Sequence, residues 1–489
     1  MKRIASILLG ITALGCSDTQ APNPPPGGGP TTDVASVTLF PASRAVLVGS
    51  RIAFQATVID TLGRELWGET ITWSVSNTSS GTIDASGVAS FFTPGTQRVD
   101  ASVDGVNGSA TMQVEKVTWA MLDAGRGHTC GLTTEGVAWC WGISSRGQVG
   151  YGGNGDQYAP IRVATDLRFT LIENGGGTTC GLTTAGAAYC WGEENGTGHV
   201  DGTVSDAFAP APVSGGLTFT DLAVGGTHAC GLTPGGDAWC WGYGIHGQLG
   251  NGGMISSRVP VAVDQSVTFQ QLTAGWEHTC GIANDGSAWC WGANQRGQVG
   301  TDEPNEICEP GTFPESLCHT RPARVASEES FVAITGGIVH TCAIAAGGAA
   351  WCWGSNEGGE LGTGATGEPE PVPVPVVDGH AFTTITAGYW ASTGSAGYTC
   401  ATNEAGAAFC WGENREGRLG NGGTQDETRP TAVVSAVSFA GISAGQDHTC
   451  AVTPNGAGYC WGTSGFGALG TAPGFVQSLV PVRTPGNRE

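Results

Sequence analysis

The sequence predicts an all-β protein, a seven-bladed β-propeller preceded by a small β-sandwich, and three observations predict it. Glycine supplies 82 of the 489 residues and proline 25, too many breakers for long helices, while glycine stays well below the one-in-three of collagen. The triplet Cys-Trp-Gly begins at Cys140, Cys190, Cys240, Cys290, Cys352, Cys410 and Cys460, at intervals of 50, 50, 50, 62, 58 and 50 residues. A self-similar unit of that length holds four short strands, which is one propeller blade. Upstream, short alternating runs (VASVTLF, RIAFQATVID, ITWSVS, RVDASV) are separated by turn clusters such as Thr78-Ser79-Ser80-Gly81 and Asp104-Gly105, the strand spacing of a sandwich.

Charge excludes several classes of partner. Acidic residues number 42 and basic ones 20, giving a formal charge of −22, and the only lysines are Lys2 and Lys116. Nucleic acid and anionic lipid surfaces need clustered positive charge, so neither is expected as a partner.

The elements follow in order. Residues 1–15 read as a secretory signal: Lys2 and Arg3, then an apolar run from Ile4, then Cys16 after Gly15. A small residue just before a cysteine resembles the bacterial lipoprotein cleavage site, with Ala13 and Leu14 departing from that site's usual order. The resemblance implies lipidation of Cys16, and with Ser17 next to it, an outer-membrane or cell-surface lipoprotein of the bacterial envelope. No other stretch approaches 18 apolar residues, so the lipid is the only membrane attachment expected. Residues 16–33 are a Pro/Gly-rich tether that cannot bury a core.

Residues 34–115 carry Val37-Thr38-Leu39 before Pro41, Gly49, Thr72-Trp73-Ser74-Val75-Ser76-Asn77, Gly81-Thr82-Ile83-Asp84 and Gly87-Val88-Ala89. These resemble the bacterial immunoglobulin-like domains of group 2, which implies a stalk or adhesion module, with Trp73 as a core side chain.

Residues 117–485 repeat Gly127-His128-Thr129-Cys130-Gly131-Leu132, the Cys-Trp-Gly triplet, Gly147-Gln148-Val149-Gly150 and Pro160-Ile161-Arg162-Val163. They resemble the regulator-of-chromosome-condensation repeat, with blade two departing most at Gly196-Thr197-Gly198-His199. The resemblance implies the seven-bladed fold. The family's eukaryotic namesake exchanges nucleotide on a small GTPase and binds chromatin. An exported acidic chain meets neither partner, so that activity is not carried over. A secreted propeller of the family inhibits β-lactamases, which shows that the scaffold can bind proteins on one face.

Within each unit two cysteines stand ten apart, with a glycine six after the first: Gly136, Gly186, Gly236, Gly286, Gly348, Gly406 and Gly456. A three-residue hairpin loop ending in a left-handed glycine sets the two cysteines opposite each other. The expected disulfides join Cys130–Cys140, Cys180–Cys190, Cys230–Cys240, Cys280–Cys290, Cys342–Cys352, Cys400–Cys410 and Cys450–Cys460, with Cys308–Cys318 in the blade-four insertion. Along the next strand Trp139 and Trp141 share one face and Ala138 and Cys140 the other, so bulky faces can pack on the small faces of neighbouring blades. His128, His228, His278, His340 and His448 each stand two before a cysteine, but the cysteines consume one another. No metal or cofactor is expected, and these histidines read as hydrogen-bonding residues between blades, replaced by Thr178 and Tyr398 in two units. The chain enters on an inner-strand sequence and leaves on an outer-strand one, so the last strand is expected to complete the first blade.

No catalytic constellation stands apart from the repeats, so the chain is read as a non-enzymatic, monomeric binding protein. The turn before each histidine and the loop after each Cys-Trp-Gly are expected on one face. Both insertions, 301–321 and 389–396, fall there, as do the positions that differ most between repeats: Arg126, Trp276, Glu277, Ile338, Tyr389, Trp390, Gln446 and Asp447. The expectation is a face centred on blades four to six that binds an extracellular or envelope protein, or a glycan. A structural envelope component and a carbohydrate-active enzyme are the alternatives.

Overall fold

The computed structural model describes residues 33–193, 205–264, 267–309, 316–388, 397–471 and 474–487. The expected signal, Cys16 and the tether to residue 32 lie outside the described residues, as do positions 196–199.

Residues 34–115 form three small sheets around one core. Strand Gly95–Val103 shows how the alternation acts, burying Gln97, Val99, Ala101 and Val103 while the residues between them face outward. Strand Ser43–Leu47 runs parallel to Thr111–Glu115 at the module's edge. Trp73 packs at the margin of this core, half-buried against Phe54 with ring centroids 6.5 Å apart. Gly87, at φ +82°, lies so close beneath the indole that a Cβ there would sit 2.9 Å from it.

Among the described residues, seven antiparallel sheets follow in chain order, numbered one to seven. Sheet one runs Trp119–Ala124, His128–Thr133, Ala138–Gly142, Gln157–Arg162. Sheet four gains a fifth strand, because Glu306–Glu309 and Ser316–Arg324 pair within the insertion. The hairpin loops are as predicted. In sheet one the Thr133 N–H donates to Val137 O (3.0 Å) around Gly136, whose φ is +77°. Cys130 then lies opposite Cys140 with Cα atoms 4.1 Å apart. All eight expected disulfides form.

Large-on-small packing joins the sheets. The disulfide face of sheet one, with Ala138 and Leu132, meets Phe169 and Trp191 of sheet two, and Cys450 and Cys460 of sheet seven meet Trp119 and Trp141 of sheet one. A backbone circuit runs with it. The hairpin glycine of each sheet accepts the N–H of the aromatic that opens the next: Phe169 on Gly136, Phe219 on Gly186, Phe269 on Gly236, Phe331 on Gly286, Phe382 on Gly348 and Phe439 on Gly406. The Trp119 N–H on Gly456 O (3.0 Å) completes the circuit.

The ends correct one expectation. Strand Gln477–Arg483 pairs with Gly458–Thr463 inside sheet seven, and sheet one is complete without it. Each unit runs from inner to outer strand, so the chain contains whole units and needs no strand shared between first and last. Residues after the last strand tie the ring to the N-terminal module instead. The Trp119 indole donates to Pro485 O (3.2 Å), Gly486 N–H to Val48 O (2.8 Å), and Leu47 is buried beside Val117 and Trp119.

Candidate partner-binding face

The turn before each histidine and the loop after each Cys-Trp-Gly share a face, as the Ile143 N–H donating to Gly127 O (2.9 Å) shows in sheet one. A glutamine organises the loop. The carboxamides of Gln148, Gln248 and Gln298 accept the N–H of Arg146, His246 and Arg296, each at 2.9 Å. At two of these residues the backbone carbonyl takes two donors from the next sheet: Gln248 O receives the Thr279 hydroxyl (2.9 Å) and the Trp291 indole (3.0 Å), and Gln298 O the Thr341 hydroxyl (2.8 Å) and the Trp353 indole (3.0 Å).

The histidines do link the sheets. With its proton given to the Gln248 carbonyl, the Thr279 hydroxyl accepts from Nε2–H of His228 at 2.6 Å. The same bond joins His128 to Thr179, His278 to Thr341, His340 to Thr399 and His448 to Thr129. Tyr398 replaces a histidine and reaches Thr449 through its hydroxyl (3.0 Å). Where Thr178 replaces one, it turns to Glu193 O of its own sheet (3.0 Å), and the facing position in sheet three is Ala229. Burial holds the imidazoles neutral, pushing His128 down to about 4 and His228, His278, His340 and His448 to about 3.

Sheet five replaces the glutamine with Glu360, whose carboxyl keeps the same role by accepting the Gly358 N–H (2.8 Å). Sheets six and seven lose that role, and a cleft of about 580 Å³ opens there, bounded by sheets six, seven, one and two. Sheet seven has Ala468 at the glutamine position and sheet six has Arg418. The Arg418 side chain, 3% exposed, pairs with Asp447 at 2.8 Å and Glu413 at 3.6 Å. It also donates to Gln446 O (3.1 Å) and lies 5.6 Å over the Tyr398 ring. Arg415 pairs with Glu413 from the solvent side at 2.8 Å. Burial raises the Glu413 and Asp447 carboxyls above the usual range, and the Arg418 guanidinium opposes it. On the rim Phe466 is 55% exposed and held at φ +57°, a conformation that is costly for an aromatic residue.

Of the expected residues, Arg126, Gln446 and Asp447 line this cleft. Trp276 and Glu277 lie in sheet four's turn, outside it. Trp276 is half-buried over Gly226, and Glu277 approaches His246 Nδ1 at 3.4 Å. Ile338 is buried, and Tyr389 and Trp390 lie outside the described residues. Sequence reasoning missed Glu413, Arg418 and Phe466, though the signal was present in the repeat itself, where glutamine becomes Glu360, then Arg418, then Ala468.

A second concavity, about 450 Å³, lies among the inner strands of the sheets, with Asp123, Glu173 and Asp221 on one side. Here too side chains bridge sheets. Asp123 accepts the Asn174 N–H (2.6 Å) and the Ser443 hydroxyl (2.7 Å), and Thr273, Thr335 and Thr386 accept the N–H of Gly336, Ala387 and Ala444. Burial pushes Asp123 up to about 7, against the Ser443 and Asn174 bonds, and raises Glu173 with help from Asp123 and Asp221. A carboxyl raised in the folded state favours folding below its unfolded pKa and loses that advantage as pH rises through the folded value. Asp123→Asn is therefore expected to raise the urea midpoint more at pH 8 than at pH 4. Equal effects at both would contradict the protonated carboxyl.

A ring-like succession of four-stranded sheets, each on the face of the next, defines a β-propeller. The chain matches the Regulator of chromosome condensation (RCC1) repeat over residues 235–282, 285–344, 347–393 and 405–452, and a second form of that repeat over 122–148, 219–248, 269–298 and 439–468. It is a β-propeller protein built with regulator of chromosome condensation repeats. No curated protein matches the chain. Prp20p of Saccharomyces cerevisiae, described for its binding to Gsp1p and histones, is similar with a TM-score of 0.58 and 20% identity, covering 66% of this chain and 80% of that one. Human WBSCR16 is similar with a TM-score of 0.60 and 19% identity, covering 71% and 89%. At these identities the likeness is one of fold. The eight disulfides point to an oxidising, extracytoplasmic compartment.

Proposed function

We propose that the chain is an exported, non-enzymatic binding protein. It is tethered to the bacterial cell surface through lipidated Cys16, raised on an immunoglobulin-like module, and presents one face of a seven-bladed propeller to a protein partner. The observation that carries this reading is the charged network at Arg418. Three other sheets fill that position with a neutral glutamine that closes its own loop. The buried Glu413 and Arg418, with the half-buried Asp447, cost desolvation that a glutamine at this position avoids. It stands at the floor of a cleft whose rim carries the exposed, strained Phe466, the kind of aromatic that anchors protein interfaces. The carboxylates and guanidinia of the cleft balance, so a partner with mixed polar side chains suits it better than a strongly basic or acidic one.

The test is affinity capture from the envelope and medium of the source cell. One bait is the chain from residue 33 onward, the other the same chain with Phe466→Ala and Arg126→Ala, two changes on the exposed rim. One stoichiometric protein held by the first bait and lost by the second is the expected result. Equal retention by both, with both folded, would remove the cleft from the interface. Retention of nothing by either would favour a structural envelope component.

A further inference from the structure

The N-terminal module meets sheet one along a groove of about 420 Å³, between Ser43–Ala53 of the module and Tyr151–Ile161 of the sheet. Arg44 points into this junction from the edge strand Ser43–Leu47. Its Nε and Nη2 are both buried and find no hydrogen-bond acceptor among the described residues, nor does Arg44 form an ion pair among them. These two nitrogens are the side-on edge of the guanidinium, whose parallel N–H bonds match the two oxygens of a planar oxyanion. A buried guanidinium is ordinarily paired, and in a chain of charge −22 an arginine without an acid beside it is a marked departure.

The surroundings supply further donors. The Tyr151 hydroxyl accepts the Gly155 N–H at 2.8 Å, which leaves its own proton to donate. Arg51 adds a second cation on the groove wall, and the Tyr158 ring, 40% exposed, borders it. The one carboxylate in the lining, Asp156, accepts the Ser144 N–H through Oδ1 at 2.9 Å and forms no ion pair with Arg44 among the described residues. Burial lowers the Arg44 pKa, with Tyr151 acting against it, the condition that an oxyanion in the groove would relieve.

We propose that this groove is an oxyanion site, in which a carboxylate or phosphate group lies side-on to Arg44 Nε and Nη2, hydrogen-bonded by the Tyr151 hydroxyl and faced by Arg51. The site lies between the module and the ring, so its ligand would bind both and stabilise their junction by mass action. It is separate from the cleft around Arg418 and does not depend on that reading.

The test uses the chain from residue 33 onward, melted in chloride, acetate and inorganic phosphate at matched ionic strength, beside Arg44→Gln, Arg44→Lys and Arg51→Gln. Phosphate stabilises many proteins through exclusion from their surface, so the difference between wild type and variant is what counts. In wild type, acetate or phosphate is expected to raise the midpoint by a few degrees over chloride. Arg44→Gln should abolish the rise, and Arg44→Lys, which keeps the charge but not the planar edge, should leave less than half of it. A rise with acetate alone assigns a carboxylate, and one with phosphate alone assigns a phosphate. Should Arg44→Gln fail to fold, Arg51→Gln on the groove's solvent side is expected to weaken the rise and takes its place. Equal midpoints of wild type in all three salts, or a rise unchanged by the Arg44 and Arg51 variants, would overturn the site.

Discussion

Arg418→Ala is expected to lower the unfolding free energy by about 2–3 kcal/mol, because it removes the cation between the buried Glu413 and the half-buried Asp447. Asp447 loses its 2.8 Å partner and Glu413 keeps only Arg415, while Tyr398 loses the guanidinium above its ring. The matching variant is Arg418→Gln with Glu413→Gln. It writes into sheet six the residue that Gln148, Gln248 and Gln298 already place in three other sheets, with a carboxamide that can accept the loop N–H as theirs do. That pair is expected to be at least as stable as wild type. Urea unfolding at constant m-value reads both. A near-neutral Arg418→Ala would mean that the group is hydrated and not a buried charge network. A strongly destabilised double glutamine variant would mean that the charges serve the fold, and the argument for a partner-binding cleft would lose its footing.

The second large effect is set by protons. His278→Gln is expected to cost about 2–4 kcal/mol at pH 7, from lost packing and a lost hydrogen bond to Thr341. That cost is expected to shrink steadily as pH falls toward 4.5. Burial, with His228 and His340 nearby, holds the folded pKa of His278 at about 3, far below the ordinary value near 6.5. A group whose folded pKa is depressed contributes its full stability above the unfolded pKa and loses it as pH falls from there toward the folded value. Wild type therefore surrenders the contribution of this imidazole between about pH 6.5 and pH 3, and glutamine has none to surrender. Asp123, Glu173 and Asp221, whose carboxyls are raised, change stability in the opposite sense over part of that range. They are common to both proteins and cancel in the difference. A gap independent of pH would show that His278 is already charged, or hydrated, in the folded chain.

The architecture was legible because the signals that specify it are local and repeated. A ten-residue cysteine spacing with a glycine at the sixth place has one hairpin solution, and the seven copies report it seven times over. The histidines were legible as links between sheets because each stands at the same place in its unit, though the threonine partner one unit on could be named only from the structure. Closure was misread since strand chemistry alone does not fix which neighbour the strand Gln477–Arg483 joins. Register with Gly458–Thr463 decided it. The site was half legible. Ranking positions by variation between units found Arg126, Gln446 and Asp447, but it weighed exposed-looking aromatics over charge. Trp276 then proved to be laid on Gly226, and the more telling substitutions, Arg418 and Ala468, lie in the loop after Cys-Trp-Gly, which was placed on the right face but not compared residue by residue. What no sequence reading could supply is Arg44, whose meaning depends on how the module docks on sheet one.

The junction of sheets two and three has a consequence for how the ring fails. Its backbone bond between Phe219 and Gly186 is intact at 2.7 Å, but Ala229 offers no hydroxyl where the neighbouring junctions place a threonine. A closed circle of equal links has no preferred place to part, since strain spreads over every joint. Among the described residues this joint lacks the side-chain bond that its neighbours carry, which sets an order of events, and the ring acquires a first opening and with it an effective beginning and end. Amide protons of Asp221–Val224 and His228–Leu232 would then exchange through a smaller fluctuation than their counterparts in sheet five. The circle would behave in solution as a linear stack, running from sheet three round to sheet two.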